Sequence, residues 1–99
     1  MNDMLTKEAA REKVEAKINE PDLYWPDKPK FLVDDKHTIE KEWGWVFFYN
    51  TSEYLKSGDI DEELIGNVPY IANKNTGEII ETGTAYDIEH YIEEYESKL

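Results

Sequence analysis

The 99-residue sequence contains no cysteine and no long apolar run. Without cysteine the chain cannot form a disulfide, use a thiol as a nucleophile or hold zinc through thiolates. No segment approaches the roughly 20 apolar residues that are needed to span a bilayer. The N-terminus also lacks the apolar stretch of a signal peptide, so we expect a cytoplasmic protein.

Basic residues are scarce as well. The chain has 11 Lys and Arg against 23 Asp and Glu, which gives a formal net charge of −12. This sign is unfavourable for binding to nucleic acid or to anionic membranes, and it favours a basic protein partner. The charge is also uneven, because residues 51–99 hold twelve acidic and three basic residues. Solubility alone explains a high net charge, but it does not require this asymmetry.

What is present fits one small domain over residues 1–99. Thr6 is placed as the N-cap of a helix over residues 7–19, and Pro21 ends that helix. Leu5 can pack against the first turn. The helix has a narrow apolar stripe at every fourth position, formed by Ala10, Val14 and Ile18.

A proline-rich connector and two strands should follow. We expect residues 21–29 to be extended, with Tyr24 and Trp25 pinning them over the core. Residues 31–39 alternate loosely and end in charge, which indicates an exposed or edge strand. Residues 43–49 are apolar on both faces, which predicts a central strand with its tryptophans in the core rather than in a ligand platform. The alternation places Trp43, Trp45, Phe47 and Tyr49 on one face and Gly44, Val46 and Phe48 on the other.

Capping and turn residues divide the second half of the chain. They predict two short helical turns, followed by a tight turn before the next strand. We expect Ser52 to cap the first turn, over residues 53–57, and Asp59 to cap the second, with Glu62 as the capping-box partner of Asp59. We expect Gly58 to end the first turn and Gly66 the second, and Asn67 and Pro69 to form the tight turn that follows.

A hairpin and a helix complete the pattern. The loop at residues 74–77 should join two short strands, with Gly77 supplying a positive φ. Thr84 and Asp87 form a capping box for the last helix. Its apolar stripe is Ile88, Tyr91, Ile92, Tyr95 and Leu99, and its opposite face has Glu89, Glu93, Glu94 and Glu96. The predicted fold is therefore α+β, an antiparallel meander of about four strands with an N-terminal and a C-terminal helix, in the order α-β-β-β-β-α.

The sequence offers little for catalysis. His37 lies among charged residues, and His90 and Glu94 are four residues apart without a third metal ligand, which is more typical of a surface pair. Residues 59–63 begin like a calcium loop, but the glycine and glutamate that an EF-hand needs at its sixth and twelfth positions are missing. No two carboxylates are singled out for acid–base chemistry, so we predict neither an enzyme nor a cofactor or metal site.

The segments W-G-W-V-F-F-Y-N, E-Y-L-K-S-G-D, L-I-G-N-V-P-Y-I, N-T-G-E-I, E-T-G-T-A and Y-I-E-E-Y follow one another between residues 43 and 95. In this order they resemble the YrhB-like family of small bacterial proteins, also called the immunity protein 35 family. The N-terminal helix has a weaker similarity. Asp87 stands where the family pattern often has proline, and an acidic residue there suits a helix N-terminus equally well.

The resemblance implies an immunity role, which is the binding and neutralisation of a toxin delivered between competing bacteria. Some members are instead linked to chaperone-like protection of proteins, so a general binding module without a dedicated toxin is the alternative. The acidic charge favours a basic toxin, such as a nuclease. We expect a monomer or a weak homodimer, since an edge strand can pair with a second copy.

Carboxylates that the fold does not require are the predicted contacts with this partner, together with one aromatic neighbour. On the connector they are Asp59, Asp61, Glu62 and Glu63, with Tyr54 beside them. On the last helix they are Glu89, Glu93 and Glu96.

Overall fold

The computed structural model describes residues 4–64 and 68–99. Its elements, in chain order, are α1 (Lys7–Ile18), β1 (Phe31–Val33), β2 (Ile39–Lys41), β3 (Gly44–Phe47), β4 (Tyr49–Thr51), α2 (Ser52–Ser57), β5 (Tyr70–Asn73), β6 (Ile79–Glu81) and α3 (Ile88–Glu96). Two 3₁₀ turns, Asp35–His37 and Ile60–Glu62, lie between them. None of the helices described in these two ranges is long and apolar enough to cross a membrane.

Helix α1 follows its sequence pattern closely. The Thr6 hydroxyl accepts a hydrogen bond of 3.1 Å from the backbone N–H of Ala9, as an N-cap does. The predicted stripe of Ala10, Val14 and Ile18 is buried, and Leu5 packs against the same cluster. The helix ends at Ile18, because Asn19 has left the helical conformation and uses its amide to bind the backbone of Phe31.

The two strands predicted over residues 31–39 and 43–49 are each broken in two, so the prediction of uninterrupted strands is wrong. The carboxylate of Asp34 accepts a hydrogen bond from the N–H of Lys36 and starts a 3₁₀ turn where the first strand should continue. The broken pieces then pair with each other, β1 with β4 and β2 with β3. A backbone hydrogen bond of 2.8 Å from Asp34 to Phe48 joins the two ladders at the break.

The four-stranded sheet has the antiparallel order β2-β3-β5-β6, and β1 pairs with β4 in a separate two-stranded sheet. A helix precedes these strands and another follows them. The α+β fold class is therefore confirmed, with a principal sheet of the predicted four strands and a second small sheet made from the broken ends.

Opposite faces of the four-stranded sheet face two separate cores, because successive residues of a strand point to opposite sides. On one side the sheet packs against α1, through Ala10, Val14, Ile18, Phe31, Val33, Phe47, Tyr70 and Ala72. On the other side it packs against α3, through Trp43, Val46, Ile71, Ile92 and Tyr95. Helices α1 and α3 therefore cover opposite faces of one sheet.

Trp43 lies on the opposite face from the one predicted. It joins Val46 in the α3 core, whereas Trp45 and Phe47 share one face as predicted, and that face packs against α1. The alternation begins only at Gly44, where φ is +156° and the backbone of β5 approaches closely. Trp43 precedes the strand, so the alternation of faces within β3 does not determine the side to which its side chain points.

The predicted caps of the short helical turns between β4 and β5 are confirmed in part. Gly58 has φ +75°, and the Asp59 carboxylate accepts from the N–H of Asp61, both in line with prediction. Helix α2 begins one residue earlier than predicted, because Thr51 rather than Ser52 is its side-chain cap. The predicted roles of Gly66 and Asn67 lie outside the described residues.

Two predictions for α3 are wrong. Asp87 occupies the N-cap position but its side chain makes no capping bond, and the predicted capping box with Thr84 is absent. The Tyr91 hydroxyl instead accepts a hydrogen bond from the N–H of Ala85 and ties down the entry to the helix. Leu99, predicted to continue the apolar stripe, is 64% exposed because α3 ends at Glu96.

Candidate partner-binding site

The acidic connector comprises residues 59–63. Buried polar side chains of β4 hold its C-terminal part in place. Asn50 accepts from the N–H of Leu64 at 2.7 Å and donates to its carbonyl at 3.2 Å. The Thr51 hydroxyl donates to the carbonyl of Glu62 at 2.5 Å. The residues that carry the connector carboxylates are exposed; they are Asp59, Asp61, Glu62 and Glu63.

Tyr54 links this connector to the 3₁₀ turn on the other side of α2. Its hydroxyl is hydrogen-bonded to the Glu63 carboxylate, and this bond is the main cause of the raised pKa of Tyr54. The half-buried ring lines an open depression of about 390 Å³ together with Asp34 and His37. The predicted aromatic neighbour is therefore in contact with the acidic group that it was predicted to accompany.

The predicted carboxylates of α3 form a second group that is separate from the first. Glu89, Glu93 and Glu96 are exposed along one flank of α3, which covers one face of the sheet. The connector adjoins Leu64, which packs into the core on the other face. The sequence-predicted residues thus form two acidic surfaces rather than one, and we call them the connector surface and the helix surface.

Glu96 also has a structural contact that the sequence did not reveal. Its carboxylate accepts a hydrogen bond of 2.9 Å from the indole N–H of Trp43, 53 residues away in the chain. The indole ring also packs on Tyr95, with the ring centroids 4.8 Å apart. Glu96 therefore fixes α3 to the sheet in addition to contributing charge.

The two histidines make local pairs. The Nδ1 of His37 lies 2.6 Å from the Asp34 carboxylate, and the Nε2 of His90 lies 3.7 Å from Glu94. Tyr86 stacks on the His90 ring at 4.1 Å. In residues 4–64 and 68–99 no cluster of three or more metal-binding side chains could hold an ion.

The proline-rich segment at residues 21–29 turns outward, contrary to the prediction that it is pinned over the core. Leu23 and Tyr24 are 96% and 98% exposed. Trp25 is 42% exposed and contacts the edge of Phe31, so the prediction fails for Tyr24 and holds only partly for Trp25. The sequence signal that was missed is Asp22, whose carboxylate accepts from the N–H of Tyr24 and bends the chain away from the core.

Tyr70 provides a test of the electrostatics near these surfaces. Burial raises the pKa of Tyr70 to about 12, and the Glu81 carboxylate, which accepts a hydrogen bond of 3.2 Å from its hydroxyl, adds to the shift. The unfolded side chain loses its proton near pH 10, whereas the folded one holds it to about pH 12. This contribution to stability is therefore complete below pH 10 and is lost as the pH rises through 12.

We expect the wild type to lose more stability than Tyr70→Phe when the pH rises from about 9 to about 11. Urea unfolding at both pH values measures the difference. Tyr24→Phe, at a fully exposed tyrosine, should behave like the wild type. Equal losses for the wild type and Tyr70→Phe would show that Tyr70 does not titrate in this way.

These features define an α+β fold with two exposed acidic surfaces. The family model described as Immunity protein 35 matches residues 8–96, so the chain belongs to that family. It is also 44% identical over 55 residues to a protein of Escherichia coli (strain K12) described as "Uncharacterized protein YrhB". That match covers 56% of this chain and 58% of the relative, so the chain spans little more than half of the relative's length. No solved structure matches the chain.

Proposed function

We propose that this protein binds and neutralises a protein toxin in the cytoplasm, without catalysis of its own. The family match over residues 8–96 is the observation that supports this proposal most directly. The net charge of −12 favours a toxin with a basic binding face, as a nuclease has. Binding across the face with which the toxin contacts its substrate would block its activity.

The connector surface is suited to attract such a toxin. Its four carboxylates are exposed within a five-residue stretch. The backbone of Glu62 is hydrogen-bonded to Thr51, and that of Leu64 to Asn50. A fixed group of like charges produces a directed field, which accelerates the encounter with a basic protein. Little conformational freedom is lost on binding, because that backbone is already ordered.

Neutralising the connector surface should slow association with the toxin by roughly tenfold at low ionic strength and should flatten the salt dependence. The variant is Asp59→Asn, Asp61→Asn, Glu62→Gln and Glu63→Gln, in which the new amide at position 59 retains an oxygen to cap the 3₁₀ turn. The toxin for this measurement is the protein whose growth arrest the wild-type chain relieves, and stopped-flow binding gives the on-rate.

A matched control removes the same number of charges elsewhere on the surface. Its residues are exposed and lie outside the ion pairs of the described structure, namely Glu8→Gln, Glu12→Gln, Asp27→Asn and Glu42→Gln. We expect this control to keep an on-rate within about threefold of the wild type, because only charges near the contact face steer docking strongly. Equal slowing by the two variants would contradict the choice of surface, and failure of the wild type to protect against any toxin would contradict the function.

A chaperone-like module is the second candidate. The observation that favours it is the pair of bulky apolar side chains Leu23 and Tyr24, which are almost fully exposed on a turn. Exposed apolar groups of this kind contact the apolar segments of unfolded proteins. This candidate differs from the first because it requires suppression of aggregation of unrelated proteins and no dedicated toxin.

A further inference from the structure

A groove runs between α3 and the β5–β6 hairpin, on the face of the sheet that α3 covers. Its volume is about 490 Å³, and its apolar lining includes Ile71, Ile80, Tyr91 and Tyr95. Ile71 and Tyr95 are buried, whereas Ile80 and Tyr91 are half-buried and form the accessible part of the floor. The α3 residues that line the groove, Tyr91 and Glu94 among them, lie on the flank of the helix opposite to the helix surface.

Strand β6 forms one wall of this groove and is an edge strand, because it pairs only with β5 in the described sheet. The N–H of Asn73 binds the carbonyl of Glu78, and the N–H of Thr82 binds the carbonyl of Pro69. In an antiparallel ladder, alternate residues turn their backbone groups to the same neighbour. Glu78, Ile80 and Thr82 therefore face β5. The N–H and C=O groups of Ile79 and Glu81 point outward, toward a position where a further strand would lie.

The charges around this edge select the kind of strand that fits. Glu78 and Glu94 line the groove, and Glu81 faces the opposite side of the sheet next to Tyr70. Among the described residues that line the groove, Lys98 alone is basic, and it lies 4.0 Å from Glu94. A second copy of this chain brings a net charge of −12 and the same glutamates, so like charges oppose pairing of two β6 edges. A basic strand meets opposite charge on both sides of the sheet.

We propose that β6 and the adjoining groove bind an extended, basic segment of the partner protein, which adds to the four-stranded sheet as a fifth strand. The free backbone groups of Ile79 and Glu81 supply the ladder hydrogen bonds. An apolar side chain of the added strand lies over Ile80 and Tyr91, and flanking Lys or Arg side chains meet Glu78, Glu81 and Glu94. This proposal rests on the proposed function in one respect, which is that the added strand belongs to the toxin.

A peptide experiment tests this surface without the toxin. The probe is a seven-residue peptide with valine at position 4, lysine at positions 2, 3, 5 and 6, and threonine at both ends, so that lysines flank the valine on one face and also lie on the other. Its matched control is the same peptide N-methylated at residues 4 and 5. Both peptides have the same charge and side chains, but the control lacks one backbone donor on each edge. We expect the unmodified peptide to bind at least about tenfold more tightly, because only it forms the complete ladder.

Amide hydrogen exchange locates the binding edge. The N–H groups of Ile79 and Glu81 should exchange quickly in the free protein and slowly with the unmodified peptide. Glu40, whose N–H points outward from β2 at the other edge of the sheet, should not change. Equal affinity of the two peptides, absence of binding at millimolar concentration, or protection at Glu40 instead of Ile79 would each overturn the proposal.

Two protein variants distinguish an error in the proposed surface from an error in the proposed function. Ile79→Pro removes one outward donor from an edge strand, a position that tolerates proline, and Glu40→Pro makes the same change at the other edge. We expect Ile79→Pro to lose peptide binding and toxin neutralisation, and Glu40→Pro to keep both. If a folded Ile79→Pro still neutralises the toxin, the surface is wrong and the function stands. If the wild type neutralises no toxin, the function fails, while the peptide result still decides whether β6 accepts a strand.

Discussion

Replacing Gly44 with alanine should reduce the free energy of unfolding by about 4 kcal/mol or more, which is most of the stability of a domain this small. Gly44 has φ +156°, a conformation that L-residues rarely adopt. A Cβ at this position would overlap the carbonyl oxygen of Ala72 on the neighbouring strand. The central strands β3 and β5 would have to separate, and both cores depend on their pairing.

Gly58→Ala is the matched control for this prediction. Gly58 also has a positive φ, at +75°, but a Cβ there meets nothing within 4 Å. Its replacement should cost about 1–2 kcal/mol, which is the backbone penalty alone. Chemical denaturation of the two variants measures the difference, and similar losses would mean that the close approach of Ala72 is not what requires glycine at position 44.

Asn73→Ala should reduce the free energy of unfolding by about 3 kcal/mol. The Asn73 side chain is 2% exposed and makes three hydrogen bonds. Its oxygen accepts from the N–H groups of Asn75 and Thr76 and shapes the hairpin loop, and its amide donates to the Tyr95 hydroxyl at 2.8 Å. The substitution therefore weakens the hairpin and the docking of α3 together.

Asn75→Ala provides the comparison, since Asn75 lies in the same loop and is exposed. Its side chain should contribute less than about 0.5 kcal/mol, as is usual for a surface position. Urea unfolding curves of both variants test the difference. If the two asparagines contribute equally, the buried link from Asn73 to Tyr95 does not stabilise the fold as the geometry indicates.

The arrangement of the two acidic surfaces limits how one partner can bind. The connector surface and the helix surface are associated with opposite faces of the four-stranded sheet, so one flat contact does not cover both. We propose that the toxin docks at the β6 edge and the adjoining groove, on the flank of α3 opposite to the helix surface. In that arrangement the connector surface acts mainly on the rate of encounter, because electrostatic attraction extends about 10 Å through salt solution.

Much of the secondary structure was predictable because its signals are local. The caps Thr6 and Asp59 bind N–H groups two or three residues away. Gly77 closes the hairpin with φ +76° as its loop requires. The broken strands were not predictable, since an alternating apolar pattern does not reveal that Asp34 will start a 3₁₀ turn inside it.

The candidate site was predictable only as a set of residues. The composition of the connector and of α3 identifies exposed carboxylates, because charged side chains are rarely buried. It does not reveal that Tyr54 contacts Glu63 or that Glu96 binds Trp43, since those contacts depend on how separate elements pack. The outward turn at Tyr24 was missed for a related reason, because large apolar side chains are usually buried and only the Asp22 turn directs this one into solvent.

The sequence by itself determined the helical stripes, the turn glycines, the uneven negative charge and the family pattern, because each depends on residue types within a few positions of one another. Only the tertiary structure decided that α1 and α3 cover opposite faces, that the carboxylates divide into two surfaces, and that β6 is left as a free edge beside a groove. These properties depend on contacts such as Trp43 with Glu96, between residues that are far apart in the chain. Packing of the whole chain selects such contacts, and no local pattern encodes them.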